Sequence, residues 1–162
     1  MADFNLHGNL GSATEAKKVI YKANDESTSS DTGISDDTDL TVALVSGDKY
    51  WFEFLVFYDT PAAADFKCDI EYSGTESIYY LAEFGGPDRP TNVREEVYTT
   101  IGQDFTPTEE GSATETKSCI VLRGVILPTS NGTFRFRWAQ QTSDAGDTTV
   151  LAGSRLTIEK FA

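Results

Sequence analysis

Basic residues are scarce in this sequence, which has 13 Lys and Arg against 26 Asp and Glu and a formal net charge of −13. Proteins that bind a phosphate backbone present clustered Lys and Arg, so this balance argues against nucleic acid as a partner. It favours an acidic, solvated exterior. No apolar run approaches the ~20 residues of a membrane-spanning helix, so we expect no membrane partner.

Histidine is almost absent: the one histidine, His7, lies in a Gly- and Asn-rich N-terminal segment. A nucleophilic triad needs a base that is held in position, and an extended segment does not hold one. The 26 acidic residues offer many carboxylate pairs, but the sequence singles out none of them for glycoside hydrolysis. We therefore predict that the protein is not an enzyme and needs no cofactor.

Two cysteines are present, Cys68 and Cys119, and they do not have the spacing of a zinc site. Both lie in apolar stretches, so we expect two reduced, buried thiols. Asp36, Asp37 and Asp39 offer hard oxygen ligands of the kind that Ca²⁺ takes, but their spacing is not that of an EF-hand. A solvated acidic loop is the favoured interpretation, and no metal is expected.

Alternation of apolar and polar residues is the main pattern that the sequence does contain. Residues 65–72 alternate cleanly, as expected of a half-buried antiparallel strand. Strands are predicted at residues 39–45, 49–58, 65–72, 77–84, 93–101, 116–127, 133–139 and 148–161. Residues 14–24 would add a short strand near residues 19–22 or a helical turn before it. Gly124 indicates a bulge or a close backbone approach, and Gly153 indicates a bend within the last strand.

These strands predict an all-β fold, an antiparallel β-sandwich of the jelly-roll type. The predicted loops near residues 25–38, 85–92, 102–115 and 140–147 are too long for a simple meander and suit strands that cross between sheets. Asn131-Gly132 disagrees with this topology, because that pair favours a tight hairpin. We expect an extended N-terminal arm over residues 1–13 and one sandwich domain over residues 14–162.

Residues 49–58 are apolar on both faces of the predicted strand, which requires a neighbouring subunit or a long loop to cover the second face. Aromatic and Arg side chains concentrate at protein interfaces. We therefore predict a subunit interface containing Trp51, Phe57, Arg135 and Arg137. Core packing explains the aromatic residues equally well, and pairing with nearby carboxylates is the alternative for the two arginines. Tyr79 and Tyr80 carry the same ambiguity as the other aromatic residues.

The predicted arm contains three isolated apolar residues, Phe4, Leu6 and Leu10. They have no local core to join. They either insert into a partner or pack back on their own domain. We take the first interpretation and predict a binding arm.

The C-terminal third, "GVILPTSNGTFRFRWAQQTSDAGDTTVLAGSRLTIEKF", resembles a segment of tailed-phage head decoration proteins, which are also called cement or minor structural proteins. The shared pattern is a strand that begins at Gly, a strand ending in "WAQ", then "TSDA", then "GSxLxI". The earlier "SGDKYWFEFLVFY" and "FKCDIEY" fit the preceding half, so the resemblance covers residues 36–161. More loosely, the layout is similar to the trimeric jelly rolls of the tumour-necrosis-factor and C1q kind.

The resemblance implies a virion structural protein on the outer surface of the capsid, made in the host cytoplasm. Its partners would be the major capsid protein and further copies of itself, as a homotrimer. The N-terminus has no basic region followed by an apolar core, so no secretory signal is expected.

The alternative is the receptor- or glycan-binding head of a tail fibre or spike, because one fold serves many functions. A carbohydrate-active enzyme would need a carboxylate pair beside exposed aromatic residues in one cleft.

Overall fold

A computed structural model describes residues 17–85, 94–104 and 117–161. Phe4, Leu6 and Leu10 of the predicted arm lie outside the described residues, as do most of two predicted loops. The described residues form strands without helices, so the predicted all-β class is confirmed. The strands are β1 (Lys17–Tyr21), β2 (Glu26–Thr28), β3 (Ser35–Leu44), β4 (Tyr50–Asp59), β5 (Phe66–Tyr72), β6 (Glu76–Gly85), β7 (Arg94–Tyr98), β8 (Lys117–Pro128), β9 (Gly132–Gln140), β10 (Thr148–Val150) and β11 (Arg155–Lys160).

Two antiparallel sheets pack face to face as a β-sandwich. The large sheet has the strand order β1-β11-β4-β8-β6-β7, and β10 joins β2 to β4 beside it. The small sheet has the order β3-β9-β5. Consecutive strands such as β3 and β4, β4 and β5, and β8 and β9 lie in different sheets, so the chain crosses the sandwich repeatedly.

The core lies between the sheets and is rich in aromatic side chains. On β4, the inward residues are Tyr50, Phe52, Phe54, Val56 and Tyr58, and all are buried. The ring of Phe52 lies 4.9 Å from that of Phe134 on β9, and Tyr58 stacks on Phe66 of β5 with centroids 4.1 Å apart. Aromatic pairs of this kind stabilise a core beyond their buried area. They also fix how the two sheets lie on each other.

Two chain segments differ from the sequence predictions, one because its contacts are polar and one because a glycine turns the chain. The predicted loop 25–38 contains β2 and the start of β3. Strand β2 consists of Glu-Ser-Thr and shows no apolar alternation, yet it pairs with β10 and joins it through a Ser27–Thr149 hydroxyl contact of 2.8 Å. The predicted last strand is divided into β10 and β11 at Gly153, whose φ of 89° makes the expected bend.

The Asn131-Gly132 turn is a corner between sheets and not a hairpin. Strand β8 belongs to the large sheet and β9 to the small sheet. The side chain of Asn131 accepts a hydrogen bond of 2.8 Å from the backbone N–H of Ser46. A Cβ at Gly132 would lie 2.7 Å from both the Tyr72 ring and the backbone nitrogen of Gly74. Glycine is therefore needed here for close packing across the corner.

Candidate interaction surface

The side of the large sheet that faces away from the core forms a broad surface, which we call the outer face. Pairing of β1, β11, β4, β8, β6 and β7 aligns its side chains in rows across the sheet. The first row is Lys17, Glu159, Trp51, Val125 and Tyr79, the second is Val19, Thr157, Glu53, Arg123, Leu81 and Val97, and the third is Tyr21, Arg155, Leu55, Val121, Glu83 and Glu95. Leu127 lies beyond the first row, and Phe57 and Cys119 beyond the third.

Large apolar side chains on the outer face remain accessible in the isolated chain. Tyr79 is 59% exposed, Val97 75% and Tyr21 61%. Trp51, Leu55 and the apolar residues of β8 between them are half-buried by one another. Large contiguous apolar surfaces of soluble proteins mark sites of interaction. The outer face is therefore the strongest candidate for a binding surface among the described residues.

Two arginines in the middle of the outer face are paired with glutamates of the same sheet. Arg123 on β8 contacts both carboxylate oxygens of Glu83 on β6, at 2.9 Å and 2.8 Å. Arg155 on β11 lies 3.9 Å from Glu53 on β4. These pairs cross the middle of the apolar rows and leave those charges matched. Covering this surface would therefore leave Arg123 and Arg155 beside their acidic partners.

The outward side of the small sheet has the opposite character, because it is charged. Arg137 on β9 binds Asp69 on β5 with two hydrogen bonds, of 2.8 Å from Nε and 2.5 Å from Nη2. Arg135 contacts Asp36 of β3 at 2.5 Å, and Glu71 lies within 4 Å of both arginines. Burial raises the pKa of Asp69, while the hydrogen bonds and charge of Arg137 act to lower it.

The four residues predicted for a subunit interface therefore lie on two opposite faces. Trp51 and Phe57 are on the outer face of the large sheet, and the sequence predicts that a partner covers this side of β4. Arg135 and Arg137 are on the small sheet, paired with acidic residues of their own chain. The structure does not bring the two pairs together. Their role in a subunit interface stays a prediction.

Tyr79 and Tyr80 illustrate what the sequence could not decide. Tyr79 is one of the most exposed residues of the outer face, whereas Tyr80 is 2% exposed and packs on Phe52 in the core. Val97, Val121 and Val125 were missed as surface residues. In β8 the apolar residues occupy both phases of the strand, so the sequence alone does not show which phase faces outward.

Asp36, Asp37 and Asp39 do not form a cation site, because each carboxylate is already engaged. Asp37 is buried, lies 2.9 Å from the Nζ of Lys22, and accepts hydrogen bonds from the N–H groups of Asp39 and Leu40. Asp36 pairs with Arg135, and Asp39 accepts from Ala23 N–H. Among the described residues, no group of three or more His, Cys, Asp and Glu is placed to hold a metal ion.

Lys22 is the centre of a buried charge cluster at the end of β1. Its ammonium group contacts Glu26 and Asp37, and Asp39 lies 4.0 Å away. Burial acts to lower the pKa of Lys22, but the hydrogen bonds from Nζ to Glu26 and Asp37 outweigh it and raise the pKa. The cluster connects the segment after β1 to β2 and β3.

A shallow cleft of about 170 Å³ lies beside Trp138, lined also by Glu26, Asp36 and four small residues. It brings two carboxylates near an aromatic side chain, as a carbohydrate-active site requires. Trp138 is only 5% exposed, however, and both carboxylates form ion pairs with the chain's own Lys22 and Arg135. This cleft therefore lacks the exposed aromatic platform that such a site needs.

Both cysteines are free of disulfide bonds. Cys68 is buried, and burial raises the pKa of its thiol well above the usual value. Cys119 is half-buried in the outer face. The expectation of two reduced thiols agrees with the structure, while that of full burial applies only to Cys68.

No protein-family model matches the chain, and searches of the curated proteins and of the solved structures found no match. No helix long and apolar enough to cross a membrane occurs within residues 17–85, 94–104 and 117–161.

Proposed function

We propose that this chain is a structural protein of a virus particle, a capsid decoration protein that binds the outer capsid surface and stabilises the head. The observation that supports this proposal best is the unlike character of the two outward sheet surfaces. One is charged and paired within the chain, and the other is broad and apolar. Such a molecule suits assembly into a larger protein surface.

The sequence resemblance over residues 36–161 supports a tailed-phage head as the assembly that this chain would join. In a jelly roll of that kind, the large sheet and the small sheet would be the two layers of each copy, and the copies would associate as a homotrimer. Each bound copy would add contacts that exist only in the assembled shell. Linked contacts of this kind gain avidity without any single strong site.

The predicted arm gives the proposal its sharpest test. Deleting residues 1–12 removes Phe4, Leu6 and Leu10 but leaves every described strand. We expect the truncated protein to keep the unfolding midpoint of the full chain and to lose binding to heads purified from the phage that encodes it. Co-sedimentation with those heads measures binding. Full binding by the truncated protein would eliminate the arm as the capsid contact.

Copy number separates decoration from the alternative, a receptor- or glycan-binding head of a tail fibre. A decoration protein is present in numbers comparable with the major capsid protein, whereas a fibre protein is present in few copies. Gel densitometry of purified particles measures this ratio. A low ratio, or absence from particles, would reject the decoration proposal.

A further inference from the structure

We infer that the outer face of the large sheet binds a second copy of this chain. This inference deepens the proposed function, since it names the partner of a surface that the proposal already treats as an assembly surface. Three observations carry it: the charge balance of the face, its size and its internally paired charges.

The charge balance favours self-association over most other partners. Between Leu127 and Phe57, the strand register places three basic and four acidic residues on the outer face: Lys17, Arg123, Arg155, Glu53, Glu83, Glu95 and Glu159. The whole chain carries a net charge of −13. Two copies of so acidic a protein repel each other over most of their surface. The outer face carries only one more acidic than basic residue, so two copies that approach through it repel each other little.

The size of the outer face fits a stable contact between proteins. Six paired strands span five gaps of about 4.8 Å, and the eight-residue step from Cys119 to Leu127 spans about 27 Å along β8, which gives a plane of roughly 650 Å². Side chains rising from that plane increase the accessible area. A standard protein interface buries about 800 Å² on each partner.

The paired charges lower the cost of covering the face. A buried charge without a partner is strongly destabilising. Arg123 and Arg155 already contact Glu83 and Glu53 within one chain. A second copy would supply apolar contacts to Tyr79, Val97 and Tyr21, which are the most exposed apolar residues of this face.

The test replaces two exposed apolar residues with acids and measures the mass of the protein in solution. The variant is Tyr79→Glu with Val97→Glu. The matched control is Thr41→Glu with Ala43→Glu, which makes the same charge change at two exposed strand positions of the small sheet. Circular dichroism and thermal unfolding establish that each variant is folded.

We expect sedimentation equilibrium to give the wild type and the control a mass of two or more 17.7 kDa chains. The outer-face variant should dissociate with a constant raised by about 100-fold or more, since each ~1.4 kcal/mol of lost binding free energy is a tenfold change. Dissociation of the control to the same degree would overturn the inference, because it would show an effect of charge alone.

A wild type that stays at 17.7 kDa at every concentration would also overturn the inference. In that case, co-sedimentation of the same variants with purified heads tests the proposed function separately from self-association. Loss of head binding in the outer-face variant alone would assign the face to the capsid protein. Such a result would leave the proposed function standing while removing the second copy as its partner.

Discussion

Gly124 shows how strongly one residue can determine strand packing. It lies in β8 between Phe52 of β4 and Tyr80 of β6, both of which turn inward. A Cβ at this position would lie 2.1 Å from the carbonyl oxygen of Tyr79 and 2.6 Å from the Cα of Tyr80. The expected close backbone approach is therefore confirmed, and the atoms that would clash belong mainly to the backbone.

Gly124→Ala should lower the free energy of unfolding by ~1–3 kcal/mol, because β6 must shift to admit the methyl group. Urea unfolding followed by Trp fluorescence measures the loss. Gly33→Ala is the control, since its Cβ would meet an exposed Asp31 oxygen at 3.1 Å that can move. Equal stability of the two alanine variants would contradict the clash at Gly124.

The Lys22 cluster predicts a dependence of stability on pH. Burial acts to raise the pKa of Glu26, but hydrogen bonds from Lys22 and Thr38 and the charge of Lys22 together outweigh it, and the pKa falls below its usual 4.5. A carboxyl group whose pKa is lower in the folded state stabilises the protein above its unfolded pKa, and the stabilisation is lost as pH falls through the folded pKa.

Glu26→Gln should therefore destabilise the protein at neutral pH, and the difference from wild type should shrink as pH falls below 4.5. Urea unfolding of both proteins across this pH range measures the difference. A difference that stays constant with pH would show that Glu26 contributes by packing or neutral hydrogen bonding instead of by its charge.

How well each strand could be predicted from the sequence depended on what stabilises that strand. Strands β4, β5 and β9 bury one regular row of side chains, and their alternation located them within about a residue. Strand β2 is held by pairing with β10 and by hydroxyl contacts, which leave no apolar pattern in the sequence. The sheet to which each strand belongs depends on contacts distant in sequence, so the position of β6 beside β8 could not be predicted.

Two ion pairs on the charged side of the small sheet use arginines of the same strand, β9, but differ in the burial of the acidic partner. Asp69 is buried beneath Arg137, whereas Asp36 beside Arg135 is largely exposed. Arg137→Met should cost ~3 kcal/mol because it leaves a buried carboxylate without its partner. Arg135→Met should cost less than ~1 kcal/mol. Urea unfolding tests the order, and equal losses would contradict it.

At the scale of the whole molecule, the sequence indicated spare apolar surface but not its extent. Trp51 and Phe57 were predicted from one strand with two apolar faces. The outer face as a whole requires six strands in register, and that register depends on pairings such as Trp51 with Val125 and Val125 with Tyr79. A pattern within single strands does not contain this information.

The Lys22 cluster also has a mechanical consequence. Strand β1 lies at the rim of its sheet and holds to β11 by five residue pairs. Immediately after it, Lys22 exchanges backbone hydrogen bonds with Ser154 and Gly153, and its ammonium group contacts the buried Asp37 and the partly exposed Glu26. Tension that pulls residue 17 outward would therefore separate β1 from β11 before it breaks the contacts of Lys22.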